Sequence, residues 1–475
     1  MWSAIKGLSL KQRLLSIVAA SFVSRILMFF LLPNSASNIQ IDEINYASLA
    51  TWIADGNDSS KYPNYPTLYL TSKTLIHPAS RLVLLGVSGL DAVRIISSIY
   101  GLLSLLLIYF AILNIFSSLN DVTSKTNSKL ITVLFALYAF LPSHFAWSIV
   151  GIKESSNEFW LISTFWCVLL LYRNISKNRV YILMILGISI VCTFSTRPQV
   201  GWVLAISLTI FLLTQVKLKV TYFIFPTLIV SVIFGYTAIT PLTVVTSDTF
   251  TATEATPTTE ATPTTSTLDA INASKLCSGS EPFVFVRGKK FTCTKSGTQT
   301  KLERKNNLSA AVASQIDGVP DQQLVNQIGA ASRIQTFPCP WEGSNQFSKY
   351  TCLAFRAPYA VFTFLFRPIP ILDTTSFRSS VGALENILWL LMCFFCALRF
   401  SILVKSKLIR PLYPSLIFFG LYVIGAGSYE GNMGTAFRHK SLILWTVLLI
   451  LGAIFWKKPQ GSIAAGRNNS QESAV

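Results

Sequence analysis

Charged residues are scarce in this 475-residue sequence, and acids are the scarcest of them. Charged side chains make up 13% of the chain, with 21 Asp and Glu residues against 39 Lys and Arg residues, whereas hydrophobic residues make up 51%. The hydrophobic residues fall in blocks of roughly 17 to 22, the length of helix that crosses about 30 Å of hydrocarbon. This distribution excludes a chain of two or three soluble domains.

Several familiar motifs are also missing. There is no glycine-rich loop of the kind that cradles a nucleotide phosphate, and the cysteine spacings do not resemble a zinc site. The first apolar block contains Arg25 and is followed by no small-residue cleavage site, so we predict a retained helix rather than a signal peptide. Residues 1–240 and 358–456 share no repeated pattern, which argues against a transporter.

The apolar blocks predict an all-α polytopic membrane protein with about ten transmembrane helices and one extracytoplasmic insertion of mixed, partly disordered structure. The predicted spans are 14–33, 93–115, 130–150, 156–172, 180–195, 200–216, 220–240, 382–400, 411–427 and 441–456. A further apolar stretch, 358–372, is broken by Arg367, Pro368 and Pro370. We predict that this stretch is an interfacial or re-entrant segment.

The net charge of +18 is concentrated in alternate segments between the spans. Under the positive-inside rule those segments are cytoplasmic, so both termini are predicted to be inside and the protein to be multi-pass in the plasma (inner) membrane. Because the cations follow the topology, we expect the lipid bilayer as partner and no nucleic acid.

The topology divides the chain into four regions. They are an N-terminal transmembrane region, 1–240, with a first outer loop, 34–92; an extracytoplasmic insertion, 241–357; a C-terminal transmembrane region, 358–456; and a cytoplasmic tail, 457–475. The insertion begins with a Thr- and Pro-rich stretch, 246–267, predicted to be a disordered or extended tether, and continues as a small cap, 277–352. The cap contains Cys277, Cys293, Cys339 and Cys352. Outside the cell these cysteines are predicted to form two disulfides, with three pairings open, and the cap is either a variable decoration or a binding element.

Acidic residues first occur in the outer loop, as Asp42 and Glu43 in the stretch IDEINYASLATWIADG. Helical spacing of its apolar residues predicts an amphipathic helix lying along the membrane surface. Adjacent side chains on a helix point about 100° apart, so only one of the two carboxylates can face a given ligand. The alternatives are a catalytic or ligand role for one of them and a helix-start role for both.

Three further groups lie at predicted outer boundaries. Lys153 and Glu154 occur in GIKESSNEFW, as a substrate site or a simple ion pair. In STRPQVG, Arg197 is either a phosphate ligand or a cap on helix carbonyls. The C-terminal candidates for substrate binding are Arg367, Glu430, Arg438 and His439. Histidine is more often a hydrogen-bonding residue than a base, so His439 is a weak catalytic candidate.

Together, an acidic loop and several cations are predicted on one face of a helical bundle. This arrangement suits the transfer of a sugar from a polyprenyl-phosphate carrier, because the leaving phosphate needs cations and the acceptor hydroxyl needs a carboxylate base. The acceptor is a glycan, a lipid or a protein. No metal site or cofactor is predicted, and a divalent cation stays an open alternative.

The segment DEINYASLATW (42–52), followed by IYGLLSLLLIYFAI (99–112), resembles the C-type (GT-C) membrane glycosyltransferases, relatives of protein mannosyltransferases and lipid A aminoarabinose transferases. The resemblance implies an inverting transferase with Asp42 as catalytic base and Glu43 as second choice. The pieces IKES, STRPQ, FRPIP and GNMGTAFRHKS resemble bacterial exopolysaccharide and O-antigen polymerases. Two alternatives therefore remain, a polymerase that uses Arg197 and Arg438 on two lipid phosphates, and a transporter or flippase of a lipid-linked sugar.

Overall fold

A computed structural model describes the greater part of the transmembrane regions and three strands of the insertion. The described residues are 8–32, 41–59, 62, 72–117, 125–173, 178–214, 221–239, 245–254, 283–286, 289–301, 346–368, 377–399, 401, 410–429 and 433–455. The chain divides into two compact units. One contains residues 1–239, 357–427 and 433–475, and the other contains residues 240–356 and 428–432.

The N-terminal part of the first unit is a succession of helices. They are α1 (Leu10–Leu31), α2 (Ile41–Ala54), α3 (Lys73–Leu84), α4 (Gly89–Ser117), α5 (Lys125–Phe140), α6 (Pro142–Ile149), α7 (Glu154–Arg173), α8 (Arg179–Thr196), α9 (Pro198–Thr214) and α10 (Thr221–Ile239). The C-terminal helices are α11 (Gln346–Phe366), α12 (Phe377–Leu398), α13 (Tyr413–Tyr429) and α14 (Met433–Ile454). Within the described residues, each predicted span therefore overlaps one or two of these helices.

Within the described residues, five helices are long and apolar enough to cross a membrane, namely α1, α4, α8, and the larger parts of α12 and α14. The pair α5 and α6 passes the same criterion together but is bent by 43° at Leu141, so it makes a sixth span if the two are one. The chain is a helical membrane protein on this basis, and the count of about ten spans stays a prediction.

Two helix boundaries follow directly from proline. Leu141 precedes Pro142 and Arg197 precedes Pro198, and both residues have extended backbone, with ψ of 132° and 97°. The residue before proline is driven out of the helical region by a clash with the proline ring, and proline has no N–H to donate. The segment STRPQVG, which the sequence predicts as a turn between two spans, thus contains a helix break at Arg197, and the predicted span 130–150 is broken into α5 and α6.

The helix predicted in the first outer loop is present as α2, but its apolar side faces protein. Tyr46, Leu49 and Ala50 are buried in a cluster with residues of α3, α4 and the α6–α7 connection. The other fully buried members are Leu75, Ile76, Ala79, Ala92, Val93 and Ile152. The predicted amphipathic helix is therefore present with its apolar side packed on neighbouring helices, and its orientation along the membrane surface stays a prediction.

The second unit contains a three-stranded antiparallel sheet in the order β1-β3-β2, formed by β1 (Val245–Glu254), β2 (Phe283–Val286) and β3 (Lys289–Lys301). The alternating residues of EPFVFVRGKKFTC (281–293) predict a short hairpin, and β2 and β3 form one. The first part of the predicted tether is strand β1, since its alternating β-branched threonines favour extended pairing. The rest of the tether, with Cys277 and Cys339, lies outside the described residues.

Candidate functional site

The two acids at the start of α2 have opposite surroundings. The Glu43 carboxylate is buried, and its Oε1 accepts hydrogen bonds from Arg94 Nε and from the backbone N–H of Gly151, both at 2.8 Å. The Asp42 side chain is 47% exposed, and its Oδ2 accepts a hydrogen bond from Arg438 Nη1 at 2.8 Å. Glu43 therefore ties α2 to α4 and to the α6–α7 connection, and Asp42 is the accessible acid.

Gly151 makes the approach to Glu43 possible. A Cβ atom at this position would lie 2.4 Å from Val93 Cγ2 and 3.1 Å from the backbone nitrogen of Arg94. Only glycine lets the connection before α7 pass this close to α4. The backbone N–H of Gly151 can then serve the Glu43 carboxylate, which fixes the start of α2 and with it Asp42.

A second carboxylate joins Asp42 through the arginines. Glu154 Oε1 lies 2.5 Å from Arg197 Nη2 and 3.9 Å from Arg438 Nη1. The four residues Asp42, Glu154, Arg197 and Arg438 are called the ion cluster below. It brings together the first turn of α2, the first turn of α7, the α8–α9 break and the start of α14.

Glu154 forms an ion pair with Arg197, and the alternatives for Lys153 and Glu154, a substrate site or a simple ion pair, stay predictions. The extended backbone of Arg197, imposed by Pro198, places its guanidinium beside the α7 start, where its side chain is 18% exposed. In this geometry Arg197 binds a carboxylate. Its predicted roles, a phosphate ligand or a cap on helix carbonyls, stay predictions.

Arg438 is held from a second side by an aromatic ring. Its guanidinium carbon lies 5.9 Å from the centre of the Trp147 ring of α6, a cation–π distance. His439, the next residue, is buried, and its carbonyl accepts a hydrogen bond from the Tyr422 hydroxyl at 3.4 Å. Thus α6 and α13 both support the part of α14 that presents Arg438.

The charges of the ion cluster shift the pKa values of Lys153 and Glu154. Burial and the charge of Arg197 lower the pKa of Lys153 to about 7, and Glu154 and Asp42 act in the opposite direction. Burial raises the pKa of Glu154, but the nearby cations, Arg197 first, outweigh it and lower the value to about 2. The carboxylate is therefore ionised at any physiological pH, and Lys153 changes its charge near neutrality.

Arg367 belongs to a different contact group. Its carbonyl, at the C-terminal end of α11, accepts a hydrogen bond from Lys440 Nζ at 2.9 Å, and the same amine bonds the Asn386 side chain. Lys440 is fully buried and thus acts as a C-terminal cap for α11. The predicted site residue Glu430 lies outside the described residues, so its role stays a prediction.

A third polar group lies inside the helical bundle, and sequence reasoning missed it. His144 Nδ1 and Tyr138 Oη contact the two oxygens of Glu158, each at 2.9 Å, and Arg25 Nη2 lies 3.4 Å from His144 Nε2. We call these four residues the Arg25 network. Ionisable residues inside apolar helices are rare and face the bundle interior, so each was a detectable signal. Arg94 in α4 was missed in the same way.

The described residues contain no group of three His, Cys, Asp or Glu side chains that would hold a metal ion. Cys167, Cys192, Cys393 and Cys396 are free thiols in helices. In the second unit, Cys293 lies in β3 and Cys352 in α11. The pairing of the four insertion cysteines stays a prediction.

Comparison with known proteins assigns no family. No family model and no curated protein matches this sequence. One solved structure, the archaeal oligosaccharyltransferase AglB from Archaeoglobus fulgidus in complex with an inhibitory peptide and a dolichol-phosphate, aligns with 13% identity and a TM-score of 0.44. The alignment covers 92% of this chain and 50% of that chain, so this protein spans about half the length of AglB. A likeness this distant carries no functional assignment.

Proposed function

We propose that the protein transfers a sugar from a polyprenyl-phosphate donor to a glycan, lipid or protein acceptor on the outer face of the plasma membrane, with Asp42 as general base. The observation that carries the proposal is the accessibility of Asp42 within the ion cluster. Its carboxylate is about half exposed and is oriented by Arg438, whereas the adjacent Glu43 is committed to Arg94. We therefore assign the catalytic role to Asp42 and a structural role to Glu43.

The reaction needs a base beside the acceptor and cations beside the leaving group. As the acceptor oxygen forms its bond to the anomeric carbon, its proton moves to the Asp42 carboxylate. The bond from that carbon to the phosphate oxygen breaks, and polyprenyl phosphate leaves with the electron pair. Attack opposite the leaving group inverts the configuration of the anomeric carbon. Base catalysis of this kind contributes typically 100- to 10,000-fold in rate.

The cations of the cluster suit the leaving phosphate. Arg197 pairs with Glu154, and the charges of both residues also act on the pKa of the adjacent Lys153. A phosphate that enters the ion cluster competes with the Glu154 carboxylate for the arginines. Its growing charge in the transition state strengthens these contacts, which is the requirement for catalysis rather than mere binding.

The test compares two acids of the same helix region. Asp55 follows α2 and is exposed, so Asp55→Asn removes the same charge at a distance from the ion cluster. With purified protein and a polyprenyl-phosphate sugar, Asp42→Asn should insert normally and lose at least about 100-fold in turnover, and Asp55→Asn should keep wild-type turnover. Turnover of Asp42→Asn within about threefold of wild type would overturn the assignment of the base.

The two alternative functions leave different products. Cells that lack the protein should accumulate a lipid-linked monosaccharide if it is a transferase, and a complete lipid-linked repeat unit if it is a polymerase. A transporter would move the lipid-linked sugar across vesicles without forming a new glycosidic bond. Lipid extracts analysed by mass spectrometry, with purified protein assayed in vesicles, separate the three functions.

A further inference from the structure

Helix α3 presents a row of basic residues that the ion cluster does not include. Lys73, His77 and Arg81 recur every four residues, so they lie along one side of the helix at intervals of about 6 Å. Lys73 is partly exposed, and His77 and Arg81 are exposed. The opposite side of α3 is buried, with Leu75, Ile76 and Ala79 at 0% exposure.

The row ends in two exposed leucines. Leu84 and Leu85 are 57% and 80% exposed, although both lie in an ordered helix end. Gly86, with a φ of 91°, closes the helix in a Schellman motif, in which the N–H groups of Gly86 and Val87 donate to the carbonyls of Val83 and Leu82. The helix end therefore fixes the two leucines outward instead of folding them in.

A helix with cations along one side and exposed leucines at its end has the composition of a helix that lies at a membrane interface. The three basic groups also repel one another. Burial, followed by the charges of Lys73 and Arg81, lowers the pKa of His77. A bound anion removes this repulsion. The predicted topology places this loop outside the cytoplasm. Membrane proteins carry most of their Lys and Arg residues in cytoplasmic loops, so these cations do not serve to set the topology. Their position points to a bound ligand instead.

We propose that α3 is a binding surface for the phosphate headgroup of an anionic phospholipid of the surrounding bilayer, with Lys73, His77 and Arg81 on the headgroup and Leu84 and Leu85 among the acyl chains. The commitment to a bilayer lipid rests on complementarity, because the row offers positive charge to an anionic headgroup and the two exposed leucines offer an apolar surface to its acyl chains. This inference does not depend on the proposed glycosyltransferase activity.

The surface is connected to the ion cluster by the first turn of α3. Thr74 Oγ1 lies 2.7 Å from Ser156 Oγ of α7 and 3.1 Å from Thr196 Oγ1 of α8, the residues that flank Glu154 and Arg197. The Thr74 carbonyl accepts a hydrogen bond from the Tyr100 hydroxyl of α4 at 2.9 Å. A phospholipid bound to α3 therefore holds one wall of the candidate site, and activity should depend on the lipid composition.

The test measures lipid binding to the full-length protein in nanodiscs of phosphatidylcholine with added phosphatidylglycerol. Each cation near an anionic lipid surface contributes on the order of fivefold in affinity. Lys73→Gln with Arg81→Gln should therefore weaken retention of phosphatidylglycerol roughly thirtyfold, as measured by native mass spectrometry. The matched control, Lys73→Arg with Arg81→Lys, keeps both charges and should retain the lipid. Leu84→Ser with Leu85→Ser should also weaken retention.

Two outcomes would overturn the proposal. Equal retention of phosphatidylglycerol by the glutamine variant and the charge-keeping control would show that the row binds no phospholipid. In nanodiscs doped with a polyprenyl phosphate, loss of that lipid alone, with phosphatidylglycerol retained, would assign the row to the isoprenoid carrier instead. Because the readout is bound lipid, neither outcome depends on whether Asp42 is a catalytic base.

Discussion

At the scale of single residues, Asp42 and Glu43 are adjacent in sequence but pair with arginines from distant parts of the chain. Arg94 of α4 holds Glu43, and Arg438 of α14 holds Asp42. The side chains of Glu43 and Arg94 are 1% and 2% exposed, so their charges are removed from water. A buried charge without its partner is costly, whereas an exposed carboxylate is easily replaced.

Glu43→Gln should therefore act on stability rather than on chemistry. The neutral amide leaves the buried Arg94 charge uncompensated, at a cost of about 3 kcal/mol. Thermal unfolding in detergent should show a clearly lower midpoint for Glu43→Gln, and Asp42→Asn should unfold close to wild type. If Glu43→Gln is as stable as wild type yet inactive, Glu43 rather than Asp42 is the base.

Under the proposed function, Lys153 should make the affinity for the donor depend on pH. With a pKa of about 7, its amine is charged below that pH and loses its charge as the pH rises through it. The Michaelis constant for the phosphate-linked donor should accordingly increase above about pH 7. Lys153→Arg, which stays charged, should abolish the increase, and Lys153→Met should have a high, pH-independent constant. If the Michaelis constant of Lys153→Met rises with pH as in the wild type, the pH dependence belongs to another group.

The sequence predicted the acids and cations of the site but not their pairing. Position at a span boundary was enough to select Asp42, Glu154, Arg197 and Arg438, because polar residues there stand out against the apolar blocks. The pairing of carboxylates with guanidinium groups depends on how each helix is rotated and on which helices are neighbours. In helices that are apolar on nearly every side, the spacing of apolar residues specifies neither. The sequence therefore offered Lys153 as a possible partner of Glu154 and did not indicate the pair of Glu154 with Arg197.

At the scale of elements, α6 is the short helix that links the bundle interior to the ion cluster. Its N-terminus is capped by Glu385 of α12, whose Oε2 accepts a hydrogen bond from the backbone N–H of Ser143 at 2.7 Å. His144 attaches its first turn to Glu158, and Trp147 lies against Arg438. The sequence indicates the break at Pro142. It does not indicate these contacts, because they come from three other helices.

Loss of the Glu158 charge should loosen α6. Glu158→Gln weakens the contacts to His144 and Tyr138 and leaves Arg25 with a weaker counter-charge inside the bundle. We expect it to lower the unfolding midpoint more than Ser189→Ala, which removes a buried neutral bond of 2.9 Å between α8 and α7. Thermal unfolding of the two variants side by side measures the difference. Equal midpoints would show that the Arg25 network contributes no more than a neutral contact.

At the scale of the whole molecule, the proposed function depends on the side of the membrane that the ion cluster faces. A reporter that is active only outside the cytoplasm should be active when fused after Thr267 and inactive when fused after Lys458. The complementary cytoplasmic reporter should give the reverse pattern. A cytoplasmic position of the Thr267 fusion would invert the topology and remove the ion cluster from the outer face.

The bond between Asp42 and Arg438 joins residues 396 positions apart in the chain. At a synthesis rate of about 5 to 20 residues per second, roughly 20 to 80 s pass between the emergence of the first residue and that of the second. During this interval the growing polypeptide has the proposed base but lacks the cation that orients it. Under the proposed function, a chain that stops before Arg438 should therefore be inactive.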